Sequence, residues 1–161
     1  MSRFGPAMPT QLLFVCLGNI CRSPTAEGVM RHLVTEANLS DHIACDSAGT
    51  SSYHIGSPPD RRMQQAALAR GIHLSGRARQ FDKTDFEQFD LILAMDRENY
   101  RDILRWDVDG RYAEKVEPIC SYCSHYSDRE VPDPYYGGDA GFRYVVDLLL
   151  DACAGLLKEL T

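Results

Sequence analysis

An α/β fold is predicted: a single domain on a doubly wound sheet of four parallel strands, with helices on both faces. Three features of the chain point to it. Short apolar runs alternate with stripes of helical period from Leu12 onward, the pattern of repeated β-α-β units. The first run, Leu12-Leu13-Phe14-Val15, is uninterrupted, as suits a strand covered on both faces. The residues richest in chemistry, Cys16, Ser47, Asp96 and those after Cys120, each follow a strand run, at the carboxyl ends where such sheets bind ligands.

The elements can be justified in order. After the first strand, Ser23 is a suitable N-cap, Pro24 suits the first helical position and Glu27 adds charge to the first turn. Ala26, Met30, Leu33, Val34 and Ala37 then give that helix an apolar stripe. Ile43-Ala44-Cys45-Asp46 is the second strand, leading through Ser47 into the loop that carries Tyr53. Ser57-Pro58-Pro59-Asp60 has capping-box chemistry for a second helix, which Gly71 closes. Phe86 and Phe89 belong to a short helix begun by Thr84 or Asp85. Leu91-Ile92-Leu93-Ala94-Met95 is the third strand, and Asp96 caps a helix carrying Tyr100, Ile103 and Leu104, with facing the phosphate loop to orient Arg22 as its alternative role. Residues 116–120 form the fourth strand, and residues 121–138 a long loop of the kind that carries function. A final amphipathic helix sets Phe142, Val145, Val146, Leu149, Cys153, Leu156 and Leu160 on or near one face. Residues 1–10 read as a flexible lead-in and residues 11–161 as the domain.

The segment Cys16-Leu17-Gly18-Asn19-Ile20-Cys21-Arg22-Ser23 lies between the first strand and the first helix. Its backbone opens onto a helix N-terminus, where unpaired N–H groups and the helix dipole favour an anion. Gly18 permits backbone geometry that a Cβ would block, and Asn19 tolerates positive φ. The result is a phosphate nest made of Leu17, Gly18, Asn19, Ile20, Cys21 and Arg22, without the Gly-Lys-Ser/Thr signature of nucleotide-binding loops. The same amides, Arg22 and the Ser23 hydroxyl favour thiolate over thiol at Cys16, making it a nucleophile. Arg22 can hold two phosphoryl oxygens in a fork that a lysine could not copy. Cys21 is either a packed thiol or a partner that traps oxidised Cys16 as a disulfide.

V-C-L-G-N-I-C-R-S-P resembles the signature of the low-molecular-weight protein tyrosine phosphatases, and Asp133-Pro134-Tyr135-Tyr136 resembles that family's late Asp-Pro motif. The two motifs are independent, in the right order, and the likeness runs from about Gln11 to the C-terminus. The resemblance implies a phosphotyrosine protein phosphatase I-like fold and hydrolysis of phosphotyrosine through a phosphocysteine intermediate. It makes Cys16 the nucleophile, Arg22 the phosphoryl ligand and Asp133 the general acid and then base. Without it, Asp133 is only a turn residue before a proline. By the same resemblance Tyr53 and Tyr135 wall the substrate slot with Leu17 at its floor or rim, and Asn19, Ser23 and Ser47 support the loop. Small aryl phosphates are further expected substrates. Many relatives have a His where this chain has Gly76, so support for Asn19 and Ser23 is expected to shift toward Ser47 or water. Relatives acting on phosphoarginine carry Thr at the position of Ile20 and usually lack the Tyr-Tyr pair.

Composition narrows the classes further. A chain of 161 residues, 44% hydrophobic and 25% charged, suffices for one soluble core. The net charge of −6 argues against nucleic acid as a partner. No apolar run approaches the roughly 18 residues of a membrane span. The arginines at 61, 62, 70, 77 and 79 form a solvated face or a receiving surface for acidic phosphopeptides. Six cysteines without a secretory leader fit a reducing cytoplasm. Cys120-Ser121-Tyr122-Cys123, with only His125 nearby, reads as two ordinary thiols, so neither metal nor cofactor is expected. The expected partners are phosphotyrosine proteins or peptides, with inorganic phosphate as product, and the chain as a monomer or weak dimer. Two rival readings share these residues. An arsenate reductase of the same fold would need relay cysteines, and none lies between Cys45 and Cys120. A phosphopeptide-binding module would have no use for an intact Cys16, Arg22 and Asp133.

Overall fold

In this computed structural model, which describes residues 8–161, four parallel strands stand in the order β2-β1-β3-β4. They are β1 (Thr10–Cys16), β2 (Ile43–Gly49), β3 (Leu91–Ala94) and β4 (Val116–Pro118). Around them pack α1 (Arg22–Glu36), α2 (Arg61–Leu68), α3 (Asp85–Gln88), α4 (Arg97–Arg105) and α5 (Asp139–Leu160).

Alternation along the central strand sorts the core into two layers. Leu12, Phe14 and Cys16 point to the face covered by α1, α2 and α5, where Met30, Met63, Phe142 and Leu149 join them. Leu13 and Val15 point to the other face, against Phe81, Phe86, Phe89 and Ile103. From Leu12 to Cys16 both faces of β1 are therefore dry, which is why that run is apolar. From β1 the chain proceeds outward to β2 and then returns to the opposite side as β3. The two connections leave in opposite directions, so a crevice opens above the carboxyl ends of β1 and β3. The loops after Cys16 and Ala94 meet there.

Several boundaries differ from expectation. The strand β1 takes in Thr10, whose N–H donates to the His42 carbonyl at 2.8 Å, while residues 1–7 of the expected lead-in lie outside the described residues. Ser23 is not an N-cap: α1 starts at Arg22, and no side chain caps it. The Ser23 hydroxyl is drawn instead into the loop, where it serves Cys16. Ala37 lies past the helix end as its exposed C-cap rather than on the apolar stripe. The capping group of α2 is Asp60 rather than Ser57, its carboxylate accepting the Arg62 and Met63 N–H groups. The strand β4 stops at Pro118, and residues 119–122 turn into a 3-10 helix.

The long loop after that turn is tied down at two points. Asp151 on α5 accepts the N–H groups of Ser124, His125 and Tyr126. Val131 donates its N–H to the Met95 carbonyl at 2.8 Å, extending the register of β3. The turn at residues 119–122 also lies hard against α5, where a Cβ on Gly155 would fall 1.9 Å from the Tyr122 carbonyl oxygen. Only glycine allows that approach.

Candidate active site

The phosphate loop grows directly out of β1. Cys16 ends the strand at 2% exposure, and the chain then curls back so that Asn19 N–H points at Cys16 Sγ from 3.3 Å. That curl requires the left-handed backbone of Asn19, at φ 57°. It also requires Gly49 beneath it, because a Cβ there would meet the Leu17 carbonyl oxygen at 2.7 Å. The Ser23 hydroxyl reaches Cys16 Sγ at 3.0 Å. Amide and hydroxyl thus converge on one sulfur.

Arg22 is buried under this loop. Its Nη1 donates to Asp96 Oδ2 at 2.6 Å and to the Val131 carbonyl at 3.1 Å. Asp96 Oδ1 accepts the Asn99 N–H at 2.7 Å, so the same carboxylate caps α4 and aims the guanidinium. Burial alone would weaken the guanidinium's hold on its proton. The adjacent Cys16 sulfur and Asp96 more than offset this and push the Arg22 pKa upward. Its Nη2 faces Asp133 Oδ2 at 3.7 Å. Asp133 comes from the far end of the long loop, with its side chain 45% exposed and its Oδ1 accepting the Tyr135 N–H at 3.1 Å.

These groups share one cleft of about 430 Å3, entered between Tyr53 and Tyr135 with Leu17 on its wall. Tyr53 is 87% exposed, so its ring stands at the rim rather than inside. His54 fills the space between the two tyrosines, 5.4 Å from the Tyr53 ring and 6.3 Å from the Tyr135 ring, and its Cδ2 lies over Gly18. Sequence reasoning did not single out His54; its place beside Tyr53 in the same loop was the available signal. Arg62 stacks on both Tyr135 and Phe142, with its guanidinium carbon 5.4 and 4.6 Å from the ring centroids. Ile20, Cys21, Ser51 and Tyr136 also line the cleft. Burial, followed by the charges of Asp60, Cys16 and Asp133, pushes the Cys21 thiol far above its ordinary value. The Cys21 thiol therefore carries its proton at neutral pH.

Support for the loop comes from residues that surround Asn19. Its amide nitrogen donates to Ser23 Oγ at 2.8 Å and Ser47 Oγ at 3.0 Å, and its oxygen accepts the Arg79 N–H at 3.0 Å. Ser47 in turn donates to Glu27 at 2.6 Å. Gly76 faces a small cavity of about 180 Å3 next to Asn19, Glu27 and Ser47, and contributes no side chain to them. Glu27 and the Arg79 amide were not anticipated from sequence, since both act only through tertiary contact.

The remaining candidates lie elsewhere. The basic residues are largely engaged: Arg62 with Asp60, Arg70 with Asp147, and Arg79 with Asp46 and Asp85. Cys120 and Cys123 are pushed to about 12 and about 11, chiefly by burial, and all six thiols are free. Among the described residues no group of three or more His, Cys, Asp or Glu is placed to hold a metal ion, and no helix is long and apolar enough to cross a membrane.

The sequence profile of the low molecular weight phosphotyrosine protein phosphatases matches residues 11–161. A putative low molecular weight protein-tyrosine-phosphatase of Synechocystis is 60% identical over 150 residues, covering 93% of this chain and 96% of that protein. The human low molecular weight phosphotyrosine protein phosphatase is 45% identical over 149 residues, covering 92% of this chain and 94% of that protein. A crystal structure of a protein tyrosine phosphatase from Entamoeba histolytica, with Hepes in the active site, superposes with a TM-score of 0.91 at 44% identity. The match covers 94% of this chain and 96% of that one. With a profile match from strand β1 to the last helix, the chain belongs to the low molecular weight phosphotyrosine protein phosphatase family.

Proposed function

We propose that the protein hydrolyses phosphotyrosine in proteins and peptides by way of a phosphocysteine intermediate. The observation that carries this reading is the convergence of Cys16 and Arg22, from the loop after β1, with Asp133, from a stretch far along the chain, on one cleft. The Cys16 thiolate attacks phosphorus as the bond to the phenolic oxygen breaks, and Asp133 gives that oxygen its proton. The loop amides and the free edge of Arg22 hold the equatorial oxygens on which charge accumulates. Asp133, now ionised, takes a proton from water as the water attacks phosphorus. The sulfur–phosphorus bond breaks and inorganic phosphate leaves.

Aromatic walls favour a ring-bearing substrate over phosphoserine, which has no ring to stack between them. Arsenate reduction is not favoured, because a relay needs further cysteines within reach of Cys16, and Cys45, Cys120, Cys123 and Cys153 all lie outside the cleft that holds it. We assign the chain to the cytoplasm, as a monomer or weak dimer with no nucleic-acid partner, in keeping with its thiols and net charge of −6.

The decisive experiment compares the wild type with Cys16→Ser and Asp133→Ala on phosphotyrosine, phosphoserine and phosphoarginine peptides. Cys16→Ser is expected to lose turnover while still binding inorganic phosphate. Asp133→Ala should lose about 100- to 10,000-fold in kcat, most with the poorest leaving groups. Equal activity of Cys16→Ser and wild type would overturn the mechanism, and a preference for phosphoarginine would overturn the substrate. Cys21 is further assigned as the trap for oxidised Cys16, supported by the cleft the two share. After peroxide, mass spectrometry should find a disulfide between Cys16 and Cys21, and Cys21→Ser should fail to regain activity on reduction. Full recovery of Cys21→Ser would remove that role.

A further inference from the structure

Behind the phosphate loop, a carboxylate that the mechanism does not use terminates a series of hydrogen bonds. Glu27 lies near the start of α1 at 8% exposure. Its Oε1 accepts from Ser47 Oγ at 2.6 Å, and its Oε2 pairs with Arg31 at 2.8 Å. An ionised carboxylate only accepts, so the single hydroxyl proton of Ser47 is committed to Glu27. The Ser47 oxygen is thereby left as an acceptor, and it takes one hydrogen of the Asn19 amide. The Arg79 N–H fixes the same amide from the opposite end by occupying its oxygen. The second amide hydrogen goes to Ser23 Oγ, whose own proton is then directed to Cys16 Sγ at 3.0 Å, the alternative acceptor, the Ala48 carbonyl, being 3.4 Å away.

The Asn19 amide is thus held from two sides, by the Arg79 N–H on its oxygen and by the Ser47 acceptor that Glu27 leaves open. Gly76 leaves the neighbouring cavity without a side chain, so the Asn19–Ser47 pair leans on α1 instead. A carboxylate in this position is costly. Burial pushes Glu27 above the ordinary glutamate range, against the Ser47 hydrogen bond and Arg31, with Asp46 and Arg79 the other charges facing it.

We propose that Glu27 is a positioning residue that turns the Ser23 hydroxyl toward Cys16, acting through Ser47 and Asn19. The proposal rests on Cys16 being the nucleophile, yet its test needs no turnover. The charges facing Cys16 itself, Arg22 and Asp133, stay in place in every variant used.

The experiment follows alkylation of Cys16 by iodoacetamide, with the modified peptide identified by mass spectrometry, in wild type, Glu27→Met, Ser47→Ala and the double variant. Losing one hydrogen bond to a thiolate should slow alkylation at about pH 6 by roughly 3- to 10-fold and leave the rate at about pH 9 within about twofold. The double variant should be no slower than either single variant, because both break the same series. In phosphatase assays kcat should fall with KM little changed, as expected for orientation rather than binding. An unchanged rate at about pH 6 in a Glu27→Met protein that melts normally would overturn the proposal. Additive effects in the double variant would do the same. Should Glu27→Met fail to fold, Ser47→Ala decides, since an unaltered rate there breaks the series. If alkylation moves as expected while no phosphoester is hydrolysed, the fault lies with the proposed function and not with Glu27.

Discussion

Asp96 holds a helix and an arginine with one carboxylate, and its two oxygens do separate work. Asparagine in its place can still cap α4, because its oxygen accepts the Asn99 N–H. It cannot neutralise the buried guanidinium beside it. Asp96→Asn is therefore expected to keep its melting temperature within a few degrees but lose about 10- to 100-fold in kcat/KM on an aryl phosphate. Steady-state kinetics beside a thermal melt checks this, and full activity would mean that Arg22 is held by the loop alone. The sequence left capping and arginine orientation as alternatives for this residue, and the structure has both. Cys16 and Arg22 were legible because their setting is local, a strand, a tight loop and a helix start within a few residues. Asp133 was legible only through family resemblance, since an Asp-Pro far along the chain has no local feature distinguishing it from a turn. Glu27 looked like ordinary first-turn charge, and nothing in the sequence places Ser47 against it.

Among the elements, order and type were legible because the apolar period changes cleanly from strand to helix. The ends were less so, and each miss has a cause. Ser23 has the chemistry of a cap, but Cys16 and Asn19 compete for the same hydroxyl and win. The early stop of β4 follows from Pro118, which has no N–H to continue the ladder. Gly155 in the long α5 is a further case, since helix propensity alone would favour alanine by up to about 1 kcal/mol. The Tyr122 carbonyl oxygen, 1.9 Å from where the added methyl would sit, reverses that preference. Gly155→Ala is expected to destabilise the protein by about 1–3 kcal/mol, read by urea denaturation. A stabilised variant would show that the 3-10 turn yields easily. Because this turn leads into the loop bearing Asp133, kcat should fall as well.

At the scale of the molecule, stability should depend on pH through a few carboxyl groups. Burial would raise Asp60 and Asp151, but hydrogen bonds outweigh it: Arg62 lowers Asp60, and the N–H groups of Tyr126, His125 and Ser124 lower Asp151. A depressed folded-state pKa contributes stability above the unfolded value of about 3.9, and that stability is lost as pH falls through the folded value. Glu27 has the opposite sign: its contribution is present below about 4.3 and disappears as pH rises through its raised folded value. The two aspartates should dominate below about pH 4, and Asp151→Asn should flatten the acid limb of a urea-denaturation series taken against pH. An identical pH dependence in that variant would refute the assignment. The topology itself was readable, because alternating elements with a buried first strand leave few arrangements other than a parallel sheet.

Val131 has a consequence for how substrates are admitted. Its N–H is tied to Met95 and its carbonyl to Arg22, so one residue pins the late segment to the sheet and to the anion site together. The Asp133 carboxylate sits only two positions beyond this anchor. Its placement is therefore fixed by the sheet and the anion site, with only a few rotatable bonds between them. On the proposed function, choice among incoming rings would fall to the tyrosines at the entrance, whose exchange would leave the loop beneath them intact.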